Sequence, residues 1–270
     1  MGFAPLDTWF RLLFRPRVVI PPRFWLRLAF ALGLSAPITL LTLPERMAAA
    51  LYLRLSRRNR SLPGPVIVLG YYRSGTTLLQ YLLSCDPNLY APHWGQAFAP
   101  QGWWLTWSLF RWFILPFFPR NRPQDNIAFG PLVPAEDDFA LNNWGLVSPL
   151  AGRLVVPQEH RFYDRYHDLK ALTPDECQRW RCCQYDILRK LAVQAAGRRV
   201  LLKTPAHTAR IAALLDLFQH TTGAKFIYIC RHPHKVFRSN LAMLRQLVDL
   251  CSLQPPLDEE ELEEYVSTGD

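Results

Sequence analysis

Three short runs of aliphatic and β-branched residues recur along the chain: Val66-Ile67-Val68-Leu69, Val200-Leu201-Leu202 and Lys225-Phe226-Ile227-Tyr228-Ile229-Cys230. None alternates with polar residues as a half-exposed strand would, so each predicts a buried strand of a parallel sheet, Cys230 included. After each run the spacing of apolar residues changes to three and four. Thr77-Leu78-Leu79-Gln80-Tyr81-Leu82-Leu83 follows the first run, and Ile211, Leu214, Leu215 and Phe218 follow the second. Phe237, Leu241, Leu244, Leu247 and Val248 follow the third. A further helix opens at the capping box Thr173-Pro174-Asp175-Glu176, with proline at its first position, and runs to about Ala196. Its apolar face carries Trp180, Cys183, Ile187, Leu188 and Leu191. Alternating strands and helices predict an α/β fold, a parallel sheet flanked by helices.

Outside this alternation the pattern changes twice. Residues 1–60 form a basic and apolar helical extension, in which Arg11, Arg15, Arg17, Arg23 and Arg27 precede the apolar stretch 28–43 and Arg54, Arg57, Arg58 and Arg60 follow it. That stretch is short for a span of roughly 20 residues and contains Pro37, and no secretory cleavage site follows. A helix pair lying on a membrane with its arginines among the headgroups is expected. A layer packed on the protein's own core and a membrane anchor through 28–43 are the alternatives. Residues 61–270 are expected to form the α/β domain, with an aromatic-rich insert at 84–150. Within that insert Trp103, Trp104, Trp107, Phe110, Trp112, Phe113, Phe117 and Phe118 read as an apolar acceptor tunnel or a membrane-dipping face, with Arg111 and Arg120 beside them, or as core. Glu136-Asp137-Asp138 sits in the polar stretch that follows, and Glu259 to Val266 reads as an acidic helix.

Composition narrows the partners. A formal net charge of +9 favours anions: a nucleotide, an acidic substrate or a membrane surface. No nucleic-acid reader module is present. The six cysteines have neither C-x-x-C spacing nor a ligand pattern, which predicts reduced thiols in a cytoplasmic compartment, with the protein peripheral at the membrane.

The candidate chemistry lies between the first strand and its helix. Gly70 to Thr77 follows the Walker pattern G-x-x-x-x-G-K-[ST], except that Thr76 stands in the lysine position and the charge has moved to Arg73. Strand, glycine loop and helix N-terminus make an anion cradle of converging N–H groups. The other two strands end in Lys203 and at Arg231, where a magnesium-handling aspartate would stand in a kinase. The site is therefore expected to hold an anion through side chains, without a metal.

Arg73-Ser74-Gly75-Thr76-Thr77 resembles the loop that holds the 5′-phosphosulfate of 3′-phosphoadenosine-5′-phosphosulfate (PAPS) in sulfotransferases, and is similar to the tyrosylprotein and bacterial branches. Leu201-Leu202-Lys203-Thr204-Pro205-Ala206-His207 resembles the Leu-Lys-Ser-Pro-x-His segment of bacterial members. The resemblance covers roughly residues 60–250. It implies that Arg73, Ser74, Gly75, Thr76 and Thr77 bind the 5′-phosphosulfate, Arg231 and Ser239 the 3′-phosphate, and Lys203 the charge developing on the bridging oxygen. The general base stays open. The tyrosylprotein branch places a glutamate after the loop helix, where this chain has His93-Trp94-Gly95-Gln96, and cytosolic members use a histidine, which keeps His93 a candidate. Glu136 or Asp137 could serve from the aromatic-rich insert, Glu136 being preferred over His93. Met243 replaces a phosphate-binding arginine of the tyrosylprotein branch. The implied function is PAPS-dependent sulfuryl transfer to a hydroxyl or amine of an apolar, lipid or glycan acceptor. Family members run further, so the 61–270 domain is expected to be truncated at its C-terminus. A non-catalytic, truncated PAPS-binding module at the membrane and a P-loop kinase are the alternatives.

Overall fold

The computed structural model describes residues 1, 3–55, 62–117, 121–122 and 127–268. Arg57, Arg58 and Arg60 of the basic cluster, and Phe118, Pro119 and Arg120 of the aromatic stretch, lie outside the described residues, as do the side chains of Phe110, Phe113 and Phe117. Helices α1 (Leu6–Leu13) and α2 (Trp25–Leu55) come first, followed by β1 (Val66–Leu69) and α3 (Thr76–Leu83). The middle of the chain forms β2 (Leu89–Tyr90), α4 (Trp94–Phe98), α5 (Trp107–Ile114), α6 (Asp137–Gly145), α7 (His160–Asp168) and α8 (Pro174–Ala195). The last third is β3 (Arg199–Lys203), α9 (Ile211–Leu217), β4 (Lys225–Tyr228), α10 (Pro233–Cys251) and α11 (Glu259–Thr268).

The four strands order as β2-β3-β1-β4 and every pairing is parallel, with Val66 opposite Leu201 on one side and Lys225 on the other. Side chains alternate across the sheet. Ile67, Leu69, Val200 and Leu202 meet Trp180, Ile187, Leu188 and Leu191 of α8, with Leu214 and Phe218 beside them. Val66, Val68 and Leu201 point to the opposite face, onto Leu79 and Leu83 of α3. A sheet covered on both faces explains why β1 and β3 read as uninterrupted apolar runs. The capping box of α8 forms as its sequence implies, with Thr173 Oγ1 accepting from Glu176 N.

Three expectations need correction. β4 is an edge strand, paired to β1 alone among the described residues, so Tyr228 and Cys230 are exposed where the apolar run predicted burial. The apolar stretch 28–43 is only the middle of a 31-residue helix that continues through Pro37 and Pro44. The aromatic stretch divides: Trp103 is core, Trp107 packs on His93, and Trp112 is exposed. All six cysteines are free, with Cys85 and Cys251 exposed as well.

A second core binds the N-terminus to the body. Trp9 and Leu12 of α1 pack with Leu154 and Val155, Tyr163 of α7, Leu241 and Leu244 of α10, and Leu262 and Val266 of α11.

Candidate active site at the carboxyl edge of the sheet

Because β1, β3 and β4 run parallel, their C-terminal ends open on one edge, the crevice where ligands gather in α/β sheets. The chain leaves β1 through a tight loop. A Cβ on Gly70, at φ +148°, would stand 2.6 Å from Ile229 O and 2.8 Å from Thr76 Cγ2, so only glycine lets the loop pass under β4. Arg73 adopts a left-handed φ of 64°, a conformation that costs a non-glycine residue about 1 kcal/mol or more. Two contacts hold it there: Arg231 Nη1 donates to Arg73 O at 3.1 Å, and Arg73 Nε donates to Ser239 Oγ at 2.9 Å. Ser74 turns inward, its N and Oγ donating to Tyr71 O at 3.2 and 2.6 Å. No side chain caps the N-terminus of α3, and the first backbone bond back into the loop is Leu79 N to Gly75 O. The opening turn of α3 therefore keeps uncapped N–H groups and a positive dipole end just after Arg73, the residue that Arg231 and Ser239 contact.

The second half of the site comes from β3. Lys203, 1% exposed, donates from Nζ to Thr77 Oγ1 at 3.1 Å and to Glu136 Oε1 at 2.5 Å. Burial, assisted by repulsion from Arg122, holds its ammonium below the ordinary lysine range, although Glu136 pulls the other way. Arg122 Nη1 also donates to Thr77 Oγ1, at 3.2 Å. Behind this cluster stands a fully buried layer. Asp137 accepts from Lys203 N at 3.2 Å, from His207 Nε2 at 2.9 Å and from Gln184 Nε2 at 3.0 Å. Burial alone would raise the Asp137 carboxyl, but the charge and hydrogen bond of His207, with Gln184, bring it down to about 2. Asp138 pairs with Arg210 at 2.8 Å. His207 is therefore a fully buried partner of Asp137, joined to it across 70 positions of the chain.

Of the two candidate bases, the fold brings Glu136 to Lys203 and sets His93 into a cap. His93 Nδ1 accepts from Gln96 N at 3.2 Å at the start of α4, and its ring lies 5.2 Å from that of Trp107. Burial pushes its pKa down to about 4, against a hydrogen bond to the Pro131 carbonyl. Arg122 and Arg153 escape a reading of the sequence alone. Arg153 is buried in a π-helical turn, donates to Asn240 Oδ1 at 2.8 Å and stacks 3.8 Å over the ring of Tyr72 in the loop. The π-turn has no sequence signature, and Arg122 sits in a stretch without period; neither carried a signal.

Cations and one carboxylate thus gather at the edge where the glycine loop leaves β1. Residues 65–268 match the model of the sulfotransferase family, and the chain belongs to that family. It is similar to the omega-hydroxy-beta-dihydromenaquinone-9 sulfotransferase Stf3 of Mycobacterium bovis and of Mycobacterium tuberculosis, at 29% identity over 264 residues. The match covers 96% of this chain and 66% of each relative, so the chain spans just under two thirds of the length of these curated relatives. Two crystal structures share the fold, each with a TM-score of 0.59. Sulfotransferase STF1 of Mycobacterium tuberculosis is 20% identical, over 92% of this chain and 67% of that one. Sulfotransferase STF9 of Mycobacterium avium is 22% identical, over 96% of this chain and 64% of that one.

Proposed function

We propose that this protein transfers the sulfuryl group of PAPS to a hydroxyl, or an amine, of an apolar, lipid or glycan acceptor, with the protein peripheral at a cytoplasmic membrane face. The observation that carries this reading is the Lys203–Glu136 pair, set at 2.5 Å beside Thr77 and the open turn of α3. Arg73, with Ser74 to Thr77, holds the 5′-phosphosulfate; Arg231 and Ser239 hold the 3′-phosphate. The donor set suits a polyanion: backbone N–H groups, guanidinium forks and hydroxyls, with a glycine where the chain must approach closely. Glu136 takes the proton from the acceptor hydroxyl as its oxygen attacks sulfur. The bond from sulfur to the bridging oxygen breaks, and adenosine 3′,5′-bisphosphate leaves. Lys203 and Arg122 stabilise the charge developing on that oxygen, a preorganised interaction strengthened by burial. His93 serves as the cap of α4.

An apolar acceptor is supported by the rings around the Glu136 side of the site. Trp94 meets Phe98, Phe129 and Phe139 at 5.0, 5.0 and 4.9 Å between centroids, and this cluster packs on Ala135, next to Glu136. The Stf3 relatives are named for a hydroxylated menaquinone, an acceptor of this chemical kind. The test is transfer of labelled sulfate from PAPS into a lipid extract by wild type and by Glu136→Gln. Loss of about 10²–10⁴ in turnover with unchanged binding of adenosine 3′,5′-bisphosphate is expected. Nucleotide binding without transfer by wild type would reduce the chain to a binding module, and full activity in Glu136→Gln would remove Glu136 as the base.

A further inference from the structure

Helix α2 is inside out. Its polar residues Ser35, Thr39, Thr42 and Glu45 are buried, while Phe30, Leu40, Met47 and Leu51 are exposed, Leu40 by 67% and Met47 by 74%. A surface helix in water presents the reverse arrangement. Three of these buried polar groups are engaged with the body, while Thr42 Oγ1 donates back to Ile38 O at 2.7 Å within the helix. Ser35 Oγ accepts from Trp9 Nε1 at 2.9 Å, and Thr39 Oγ1 accepts from Leu6 N at 3.1 Å. Glu45 accepts from Trp104 N, Leu105 N, Thr106 N and Thr106 Oγ1, which fixes the start of α5 against the middle of α2. α5 adds its own exposed apolar residues, Leu109 and Trp112.

Charge along the same segment is one-sided. Residues 1–55 contain seven arginines and two acids, Asp7 and Glu45. Glu45 is the buried cap of α5, and Asp7 is paired with Arg46 at 2.9 Å. The positive charges left outward include Arg17, Arg23, Arg54 and Arg111. An apolar outer face on a segment whose exposed arginines make no ion pair among the described residues matches an anionic bilayer: acyl chains for the leucines, headgroups for the guanidinium groups. It does not match a second copy of the chain, whose equivalent face would repeat the same charge.

The contacts also decide how the helix meets the bilayer. Contacts along the inner face hold the helix to the body from Ser35 through Thr39 and Glu45 to Tyr52, the last by an edge contact to Trp104 at 5.3 Å. At ~1.5 Å per residue those 17 steps cover about 25 Å, most of a hydrocarbon core of ~30 Å. A helix attached to the body over that length cannot cross a bilayer without dragging the body into it.

Resting on the proposed function only for its membrane location, we infer that α2, with α5 beside it, lies in the plane of an anionic membrane leaflet, its apolar outer face embedded and the body held on one side.

The experiment uses the full chain and sealed vesicles of equal parts phosphatidylcholine and phosphatidylglycerol, without nucleotide or acceptor. Co-sedimentation, release by alkaline carbonate, and roughly tenfold weaker partitioning for Leu40→Glu and for Met47→Glu are expected. Both positions are exposed, so the variants should melt as wild type does. Absence of vesicle binding, retention after carbonate, or a stable dimer in solution with no partitioning would each overturn the inference. Because no transfer is measured, failure here leaves the sulfuryl-transfer reading standing, and failure of transfer leaves this result standing.

Discussion

The buried carboxylate behind the site permits a sharp prediction: Asp137→Asn lowers stability at neutral pH by about 2–4 kcal/mol. Three donors converge on Asp137, from Lys203 N, His207 Nε2 and Gln184 Nε2. An asparagine keeps one acceptor oxygen and turns the other into a donor, which then faces one of those N–H groups. His207 offers no second route, since its Nδ1 is buried with no hydrogen-bond partner among the described residues. The carboxyl falls from an ordinary 3.8 to about 2 on folding, a shift of the order of a few kcal/mol in favour of the folded chain. Breaking a buried pair by removing one charge typically costs about 3–5 kcal/mol, a figure of the same order. The sign follows from the lowered folded value. The stabilisation is complete above the unfolded pKa and disappears as pH falls toward 2. Urea unfolding of both proteins from pH 7 downward should therefore show a gap that narrows below about pH 4. A gap below about 0.5 kcal/mol at pH 7, or one that widens on acidification, would refute the account of Asp137 as an ionised acceptor of three bonds.

Two further outcomes follow from the site. Arg73→Ala should lower turnover by about 10²–10³, with Arg73→Lys recovering part of it, and both should melt near wild type because a loop arginine buries little apolar area; normal turnover in the alanine variant would make the loop's charge incidental. His93 is pushed down to about 4 by burial, and His167 to about 4 by burial and by Arg210 and Arg153. The unfolded chain takes up protons below the ordinary 6.5 that the folded chain refuses until about 4, so stability should fall as pH drops through that window, by up to ~1.4 kcal/mol per unit for each ring. His93→Gln should flatten this slope in a melting series, and an unchanged slope would place the proton uptake elsewhere.

Sequence by itself determined what is local. The run 66–69, the glycine loop and the apolar spacing after it are consecutive, so strand, turn and helix N-terminus could be read directly, as could the capping box at Thr173. Arg231 and Ser239, eight positions apart, were legible because a strand end and the first turns of a helix bring that spacing to one place; the fold then joins both to Arg73. Tertiary structure decided what depends on distant segments. Whether Glu136 or His93 meets Lys203 rests on a contact across 67 positions, which no period encodes. Exposure of Cys230 and Tyr228 follows from the place of β4 at the sheet edge, a property of strand order that its apolar composition does not carry. The same holds for α2: its sequence contains both an apolar and a polar stripe, but only the donors that Trp9, Leu6 and the start of α5 offer to its polar side turned that stripe inward.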